Sequence, residues 1–150
     1  MYKHILIPTD GSELSRAAAL SGVKLAQALG AKVTAFFAAP APTPLVYEGF
    51  LPVGYTTPEE HARMIETTAA KYLGVIERAC EKAAVPCRSI HVTNEYAAEA
   101  VMDAAKKYKC DLIHMGSHGR RGLSGVLLGS QTQKVITNSK VPVLVYRSER

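Results

Sequence analysis

The chain has 150 residues, of which 47% are hydrophobic, so length and composition predict one folded domain over residues 1–150 rather than a disordered segment. Its three cysteines form no CxxC pair, which argues against a disulfide framework and a zinc knuckle. No apolar run reaches the roughly 18 residues that span a bilayer, which argues against membrane insertion. Together these features favour a cytoplasmic protein. The net charge of +5 raises the question of nucleic acid, but Lys106, Lys107 and Lys109 fall at the end of a predicted helix, where cations complement the helix dipole, so we expect no nucleic-acid partner.

The first third of the chain predicts a strand, a helix and a second strand. Residues 4–7 form a nearly continuous apolar run, which is typical of a strand covered on both faces, and residues 8–11 end it with turn-forming side chains. Apolar residues then recur at helical spacing between a Ser12 cap and Gly30, whose type favours a left-handed helix end. Residues 32–38 are predicted to form the second strand.

A long proline-rich loop separates the second strand from the next helix. Residues 39–57 contain four prolines, each of which removes a backbone donor. The helix is predicted to begin at residues 57–60, where Thr and Glu have capping-box spacing with Pro at the first helical position, and to end at Val85–Pro86. Its expected buried face comprises Ala62, Ile65, Ala69, Tyr72, Ile76 and Ala83.

The second half continues the alternation of strands and helices. We predict strands over residues 88–92, 111–115 and 141–146, with a helix over about 95–108 and a last helix ending near Asn138. Five strands alternating with helices are typical of an α/β fold, a single open parallel sheet with helices on both faces.

A glycine-rich loop follows the fourth strand and is the strongest functional signal. Residues 116–130 place five of the chain's eleven glycines within fourteen residues and end in Gly129–Ser130 at a predicted helix start. Glycines let backbone amides approach an anion, and a helix N-terminus adds free N–H groups, so the loop indicates phosphate binding. A flexible hairpin without a ligand is the alternative, and Arg120 and Arg121 could either meet phosphates or remain solvated.

The spacing of the loop resembles one known family. Gly116, Gly119, Gly129 and Ser130 follow the pattern Gly, two residues, Gly, nine residues, Gly-Ser, which is similar to the nucleotide motif of the ATP-binding branch of the universal stress protein family. The order of strands that the resemblance implies is 3-2-1-4-5, in a Rossmann-like sheet. Residues 5–12, 115–119 and 141–145 resemble the family's opening strand, phosphate loop and closing strand.

The resemblance also implies a set of nucleotide contacts. Asp10 would bind the ribose hydroxyls, although an Asp after a strand is in isolation more often a turn-former or a helix cap. His118 is open between a phosphate contact and loop packing. The remaining implied contacts are Pro8, Thr9, Ala38 and Met115 around the adenine, and Gly116, Gly119, Gly129, Ser130, Gln131 and Thr132 at the phosphates.

We therefore expect a nucleotide-dependent regulator in a stress response, with ATP as its ligand and with or without Mg²⁺ or Mn²⁺. No Ser-His-Asp or Cys-His arrangement appears, and Asp10 is the one well-placed carboxylate near the loop, so catalytic residues and a metal site are not assigned. A slow ATPase or phosphotransferase, and a dimeric adaptor that uses no nucleotide, remain alternatives. The proline-rich loop carries Tyr47, Phe50 and Tyr55 and could cover the nucleotide or contact a neighbour.

The last strand predicts a homodimer. An apolar edge strand would present unpaired amides that a second copy could satisfy about a two-fold axis, an arrangement that the resemblance also implies. The alternative is that the tail at residues 148–150 covers the edge. The residues expected to form the interface are Val141, Val143, Leu144 and Val145.

Overall fold

The computed structural model describes residues 1–42, 56–118 and 128–148. Several residues singled out in the sequence therefore lie outside the described ranges. They are Tyr47, Phe50 and Tyr55 of the proline-rich loop, and Gly119, Arg120 and Arg121 of the glycine-rich loop.

Five parallel strands form one sheet, and four helices connect them. The sheet has the order β3-β2-β1-β4-β5, which confirms the expected topology. The strands are β1 (His4–Pro8), β2 (Lys32–Ala39), β3 (Cys87–Thr93), β4 (Leu112–Gly116) and β5 (Val143–Tyr146). The helices are α1 (Glu13–Leu29), α2 (Pro58–Lys82), α3 (Ala97–Lys107) and α4 (Ser130–Asn138).

Helices cover both faces of the sheet, and successive side chains of β1 enter opposite layers. Ile5 and Ile7 lie in the core beneath α1 and α2, whereas Leu6 lies in the core beneath α3 and α4. All three are fully buried. This explains why the strand reads as an unbroken apolar run instead of an alternating one.

A carboxylate joins the amino ends of β1 and β4. The two oxygens of Asp111 accept hydrogen bonds from the amides of Lys3, at 2.8 Å, and His4, at 2.9 Å. The pairing of Ile5 with Leu112 follows immediately. Asp111 therefore helps to set the register between strands that are more than a hundred residues apart in sequence.

Three helices end in the same way, with one residue in the left-handed region. Gly30 has a φ of 63°, Ala84 a φ of 53° and Lys109 a φ of 55°. In each case the next residue donates its N–H to a carbonyl five residues back, as in the bond from Val85 to Cys80 at 2.9 Å. This is the Schellman arrangement, which satisfies carbonyls that the helix end leaves unpaired.

Local side-chain bonds move two predicted element starts. The helix expected from residue 95 begins at Ala97, because the Asn94 side chain accepts the Tyr96 N–H at 2.9 Å and holds a turn there. The strand expected from Val141 begins at Val143, because the Ser139 hydroxyl bonds both the N–H and the carbonyl of Val141.

Two smaller expectations also differ. Ala62 was assigned to the buried face of the second helix but is exposed in the first turns of α2, because the helix becomes buried only from Ile65 onward. Lys109 lies beyond the end of α3 instead of in its last turn. The predicted caps at Ser12 and Thr57 are confirmed, the latter as a full capping box.

Candidate functional site

The candidate site lies where the connections of the sheet change direction. The chain leaves β1 toward β2 on one side, and it leaves β4 toward β5 on the other. The loops after these two adjacent strands therefore diverge and leave a crevice at the carboxyl edge, which is where open α/β sheets bind ligands. Residues 8–12 follow β1 at this edge, and residues 116–118 and 128–132 lie at the end of β4 and the start of α4.

Hydrogen bonds fix the loop after β1. The Thr9 N–H donates to the carbonyl of Phe36 at 2.9 Å, and its hydroxyl lies 3.1 Å from the Ser15 hydroxyl. Asp10 accepts the Ser12 N–H on one carboxylate oxygen at 3.0 Å, while Ser12 caps α1. The turn-forming and the ligand-binding interpretations of Asp10 are thus compatible, because a carboxylate has further acceptor positions.

Gly11 allows α2 to pack directly against this loop. It has a φ of 79°, and a Cβ atom at this position would overlap the ring of Tyr72 on α2. The Tyr72 ring in turn packs edge-on against Phe37, with the ring centroids 5.2 Å apart. A side chain at position 11 would therefore displace the whole wall of the crevice.

The loop after β4 is held by its neighbours on both sides. The Ser117 N–H donates to the carbonyl of Tyr146 at the end of β5, at 2.9 Å. The Ser117 carbonyl accepts the Gly129 N–H at 2.7 Å. A Cβ atom on Gly116 would lie 3.4 Å from Leu14 of α1. The end of β4 therefore lies close to the helix that follows β1.

Gly129 allows the start of α4 to approach this loop closely. A Cβ atom on Gly129 would lie 2.9 Å from the Cα and Cβ atoms of His118, a distance at which the backbone must move. No side chain caps α4 from this position. Among the residues that the structure describes, no group accepts a hydrogen bond from the first-turn amides of Ser130, Gln131 and Thr132. These amides and the positive end of the helix dipole are therefore available to an anion at this edge of the sheet.

The side chains of Gln131 and Thr132 make bonds within the fold. Gln131 accepts the Ala98 N–H at 3.1 Å and so supplies a cap for α3 that the sequence did not reveal. The buried Thr132 hydroxyl donates to the Gly116 carbonyl at 2.9 Å. Their backbone amides, rather than these side-chain atoms, are the groups oriented for an anion.

The residues assigned to the adenine lie at the ends of three neighbouring strands. Pro8 pairs with Phe36 of β2, and Ala38 pairs with Val92 of β3 two positions further along. Pro8 and Ala38 are half-buried. Met115 is 9% exposed and belongs to the core beneath α3 and α4, so only its edge reaches the surface.

A buried histidine lies beneath the site. His114 precedes Met115 on β4, is 2% exposed, and its Nδ1 atom has no hydrogen-bond partner among the described residues. Gly22 of α1 leaves it room, since a Cβ atom there would lie 3.1 Å from Nδ1. Burial lowers the pKa of His114, so the imidazole is neutral at neutral pH.

Sequence reasoning missed several supports of the site. Ser15 could have been found, because it lies three residues after the Ser12 cap, at the usual position of the capped amide. Tyr72 and Ser117 could not, because their roles depend on how α2 and β5 pack. Within the described ranges, no three His, Cys, Asp or Glu side chains gather to hold a metal, and no helix is long and apolar enough to cross a membrane.

A separate groove of about 400 Å³ runs along the exposed side of α2. It is lined by Glu60, Arg63, Met64, Thr67 and Thr68. None of these residues belongs to the loops after β1 and β4, so the groove is distinct from the crevice.

Comparison with known sequences gives matches over the whole chain. The sequence profile of the universal stress protein family matches residues 1–147. The universal stress protein MJ0531 of Methanocaldococcus jannaschii is 31% identical over 150 residues, which cover all of this chain and 85% of that protein. The universal stress protein YxiE of Bacillus subtilis is 32% identical over 158 residues, with 98% of this chain and all of the relative covered.

Solved structures share the fold. The universal stress protein UspA from Lactobacillus plantarum superposes with a TM-score of 0.72 at 23% identity, over 97% of this chain and 98% of its own. A universal stress protein in complex with cAMP gives 0.67 at 24% identity, over 97% of both chains. An Arabidopsis thaliana family member with AMP bound gives 0.68 at 13% identity, over 98% of this chain and 92% of that one.

Proposed function

The chain belongs to the universal stress protein family, and from this membership and the geometry of its carboxyl edge we propose that it binds ATP and acts as a nucleotide-dependent regulator in stress adaptation. The observation that carries the proposal is the meeting of the loops after β1 and β4. A Cβ atom on Gly116 would lie 3.4 Å from Leu14 of α1, and no side chain caps the N-terminus of α4.

Each part of the crevice suits a different part of the ligand. The first-turn amides and the dipole of α4 favour an anion, so the phosphates are assigned to Gly116, His118, Gly129 and residues 130–132. Asp10, at the end of β1, is assigned to the ribose hydroxyls as a charged acceptor. Pro8 and Ala38 offer a half-buried surface for the flat adenine ring, with the buried Thr9 beside Pro8 and Met115 at the border.

The choice of nucleotide rests on two observations of different kind. Family members of this fold hold cAMP and AMP, which supports an adenine nucleotide. The preference for ATP rests on the anion site itself, since a helix N-terminus beside a glycine-rich loop favours the more highly charged ligand. Mg²⁺ or Mn²⁺ would arrive with the phosphates, because the described residues supply no metal site of their own.

Regulation is proposed rather than hydrolysis because the crevice lacks a recognisable catalytic arrangement among its described residues. No group of three potential metal ligands gathers in the ranges 1–42, 56–118 and 128–148. Binding of a nucleotide between the two loops would change the surface at the carboxyl edge, which is how a nucleotide could control a partner. We also propose a cytoplasmic location, because the three cysteines form no pattern typical of a disulfide framework.

Titration calorimetry with ATP, AMP and cAMP tests the proposal. The Gly129→Ala variant should weaken ATP binding by roughly tenfold or more, because moving the start of α4 removes charge-assisted hydrogen bonds of about 1.5–3 kcal/mol each. Gly74→Ala is the matched control, since a Cβ atom there would meet only the flexible end of Arg78, at 3.0 Å. It should bind ATP like the wild type.

Thermal melting of both variants shows whether they are folded. Unchanged ATP affinity in a folded Gly129→Ala protein would exclude the phosphate assignment. Absence of any nucleotide binding by the wild type would instead favour the adaptor alternative.

A further inference from the structure

Two cysteines lie together where α2 meets β3. Cys80 is in the last turn of α2 and Cys87 is the first residue of β3. The connection is fixed at both ends, because Val85 donates its N–H to the Cys80 carbonyl at 2.9 Å and Pro86 accepts the Val33 N–H at 2.8 Å. The distance between the two cysteines is therefore set by a rigid turn.

The direction of the β3 side chains places both sulfur atoms on one face of the sheet. Arg88 faces α3, where its guanidinium lies 4.9 Å from the ring centre of Tyr108. His91 faces α2, with its Nε2 atom 3.9 Å from a Glu66 oxygen. Because alternate residues share a face, Cys87 points toward α2 together with His91.

The two thiols interact across this core. Cys80 is fully buried beneath α1 and α2, and each thiol shifts the pKa of the other, in opposite directions. Both thiols are free.

The contact makes the two sulfurs chemically unequal. The hydrogen bond from Cys80 lowers the pKa of Cys87, against the smaller effects of burial and of the Glu77 charge, and Cys87 is exposed. The same bond, together with burial, raises the pKa of Cys80. An exposed thiol with a lowered pKa beside a second thiol is the arrangement that oxidants select.

We propose that Cys87 and Cys80 form a peroxide-reactive pair that closes reversibly into a disulfide. Cys87 ionises to its thiolate, which attacks one oxygen of hydrogen peroxide. The O–O bond breaks, and the departing hydroxide takes up the proton that Cys87 released, giving one water and leaving Cys87 as a sulfenic acid. The Cys80 sulfur then attacks the Cys87 sulfur, the S–O bond breaks, and the Cys80 proton leaves with the hydroxide as a second water. Two thiols and one peroxide thus become a disulfide and two waters.

The third cysteine provides an internal control. Cys110 lies in the other core, beneath α3 and α4, where burial raises its pKa to about 11. It is neither exposed nor in contact with the pair, so it should remain reduced.

Treatment of the whole protein with hydrogen peroxide, followed by unfolding and alkylation, tests the pair. The wild type should lose the mass of two hydrogens, keep one alkylatable thiol at Cys110, and yield one linked peptide that contains Cys80 and Cys87. The change should reverse with dithiothreitol. Cys110→Ser should form the same disulfide at the wild-type rate.

The single variants separate the two roles. Cys80→Ser should stop at a sulfenic acid on Cys87 that dimedone traps, and excess peroxide should drive it on to the sulfinic acid. Cys87→Ser should leave Cys80 reduced. Three alkylatable thiols in peroxide-treated wild type, a disulfide that includes Cys110, or sulfinic acid formation as fast in the wild type as in Cys80→Ser would each overturn the proposal.

Discussion

At the scale of single residues, Asp10 has two roles, one in the structure of the loop after β1 and one proposed in ligand binding. Its carboxylate accepts the Ser12 N–H and is assigned to the ribose. Asp10→Ala should weaken ATP binding by about 1–3 kcal/mol, the usual value of a hydrogen bond to a charged group, and leave inorganic triphosphate unaffected. Calorimetry with both ligands makes the comparison, and equal losses would mean that Asp10 acts through the loop rather than through the ribose.

The buried imidazole of His114 predicts sensitivity to acid. Burial lowers its pKa from 6.5 in the folded protein. Below pH 6.5 the histidine therefore binds a proton more readily in the unfolded chain than in the folded one. Stability is therefore complete above pH 6.5 and declines as the pH falls, by at most about 1.4 kcal/mol per pH unit for this group. His4, whose pKa is lowered mainly by burial and then by Lys32 and Arg88, acts in the same direction.

Urea unfolding at pH 7.5 and pH 5.5 measures this effect. His114→Leu removes the titration and an unpaired buried nitrogen, so the difference in unfolding free energy between the two pH values should shrink. The surface variant His61→Gln should keep the wild-type difference. If His114→Leu kept it as well, the acid sensitivity would belong to other groups.

At the scale of elements, the three Schellman ends predict opposite effects for opposite substitutions. Gly30→Ala should destabilise the protein by about 1 kcal/mol, because nothing lies within 4 Å of the new Cβ atom and only the left-handed backbone opposes it. Ala84→Gly relieves the same conformation at an exposed residue and should stabilise by about 0.5–1 kcal/mol. Chemical denaturation gives both values, and a shift of the same sign for both would contradict the explanation.

Elements were predictable where a local signal decides them. The capping box at Thr57 and the left-handed Gly30 fix helix ends within a few residues of sequence, so the sequence alone located them. Ala84 and Lys109 carry the same left-handed geometry without a glycine, because the bonds from Val85 and Cys110 impose it. Such positions give no signal in composition.

The candidate site divides in a similar way. The positions of residues 8–12 and 116–118 follow from strand ends and turn chemistry, which a sequence displays. The bond from Gln131 to Ala98 and the contact of Gly11 with Tyr72 join elements that are distant in sequence. Only the packing of α3 and α2 creates them, so the sequence could not reveal them.

At the scale of the whole molecule, β5 remains the predicted dimer interface. Among the residues that the structure describes it pairs with β4 on one side, and Leu144 on it is 44% exposed. Pro142 and Tyr146 direct their carbonyls to β4, accepting from Ile113 and Ser117 at 2.9 Å. Since backbone direction alternates along a strand, the amides of Val143 and Val145 face outward, whereas that of Leu144 faces β4. Val141 lies outside the strand and offers no ladder bond.

The interface is therefore tested at Val145. Val145→Pro removes an outward donor without breaking the pairing with β4, so it should convert a dimer into a monomer in sedimentation experiments at micromolar concentration. Val145→Thr keeps the N–H and the branched shape, and it should remain dimeric. A monomeric wild type, or a dimer that tolerates proline at 145, would contradict this arrangement.

The sheet order has a consequence for the way the chain is made. β1 is the central strand, yet its partner on one side, β4, begins at Leu112, about three-quarters of the way along the chain. While a ribosome extends the chain from the amino terminus, β1 can pair with β2 and α1 can cover one face, but its other side stays open until β4 and Asp111 emerge. The central strand of the finished sheet is thus an open edge for most of the synthesis of the chain, and we expect the nascent chain to need protection of that edge against pairing with other strands.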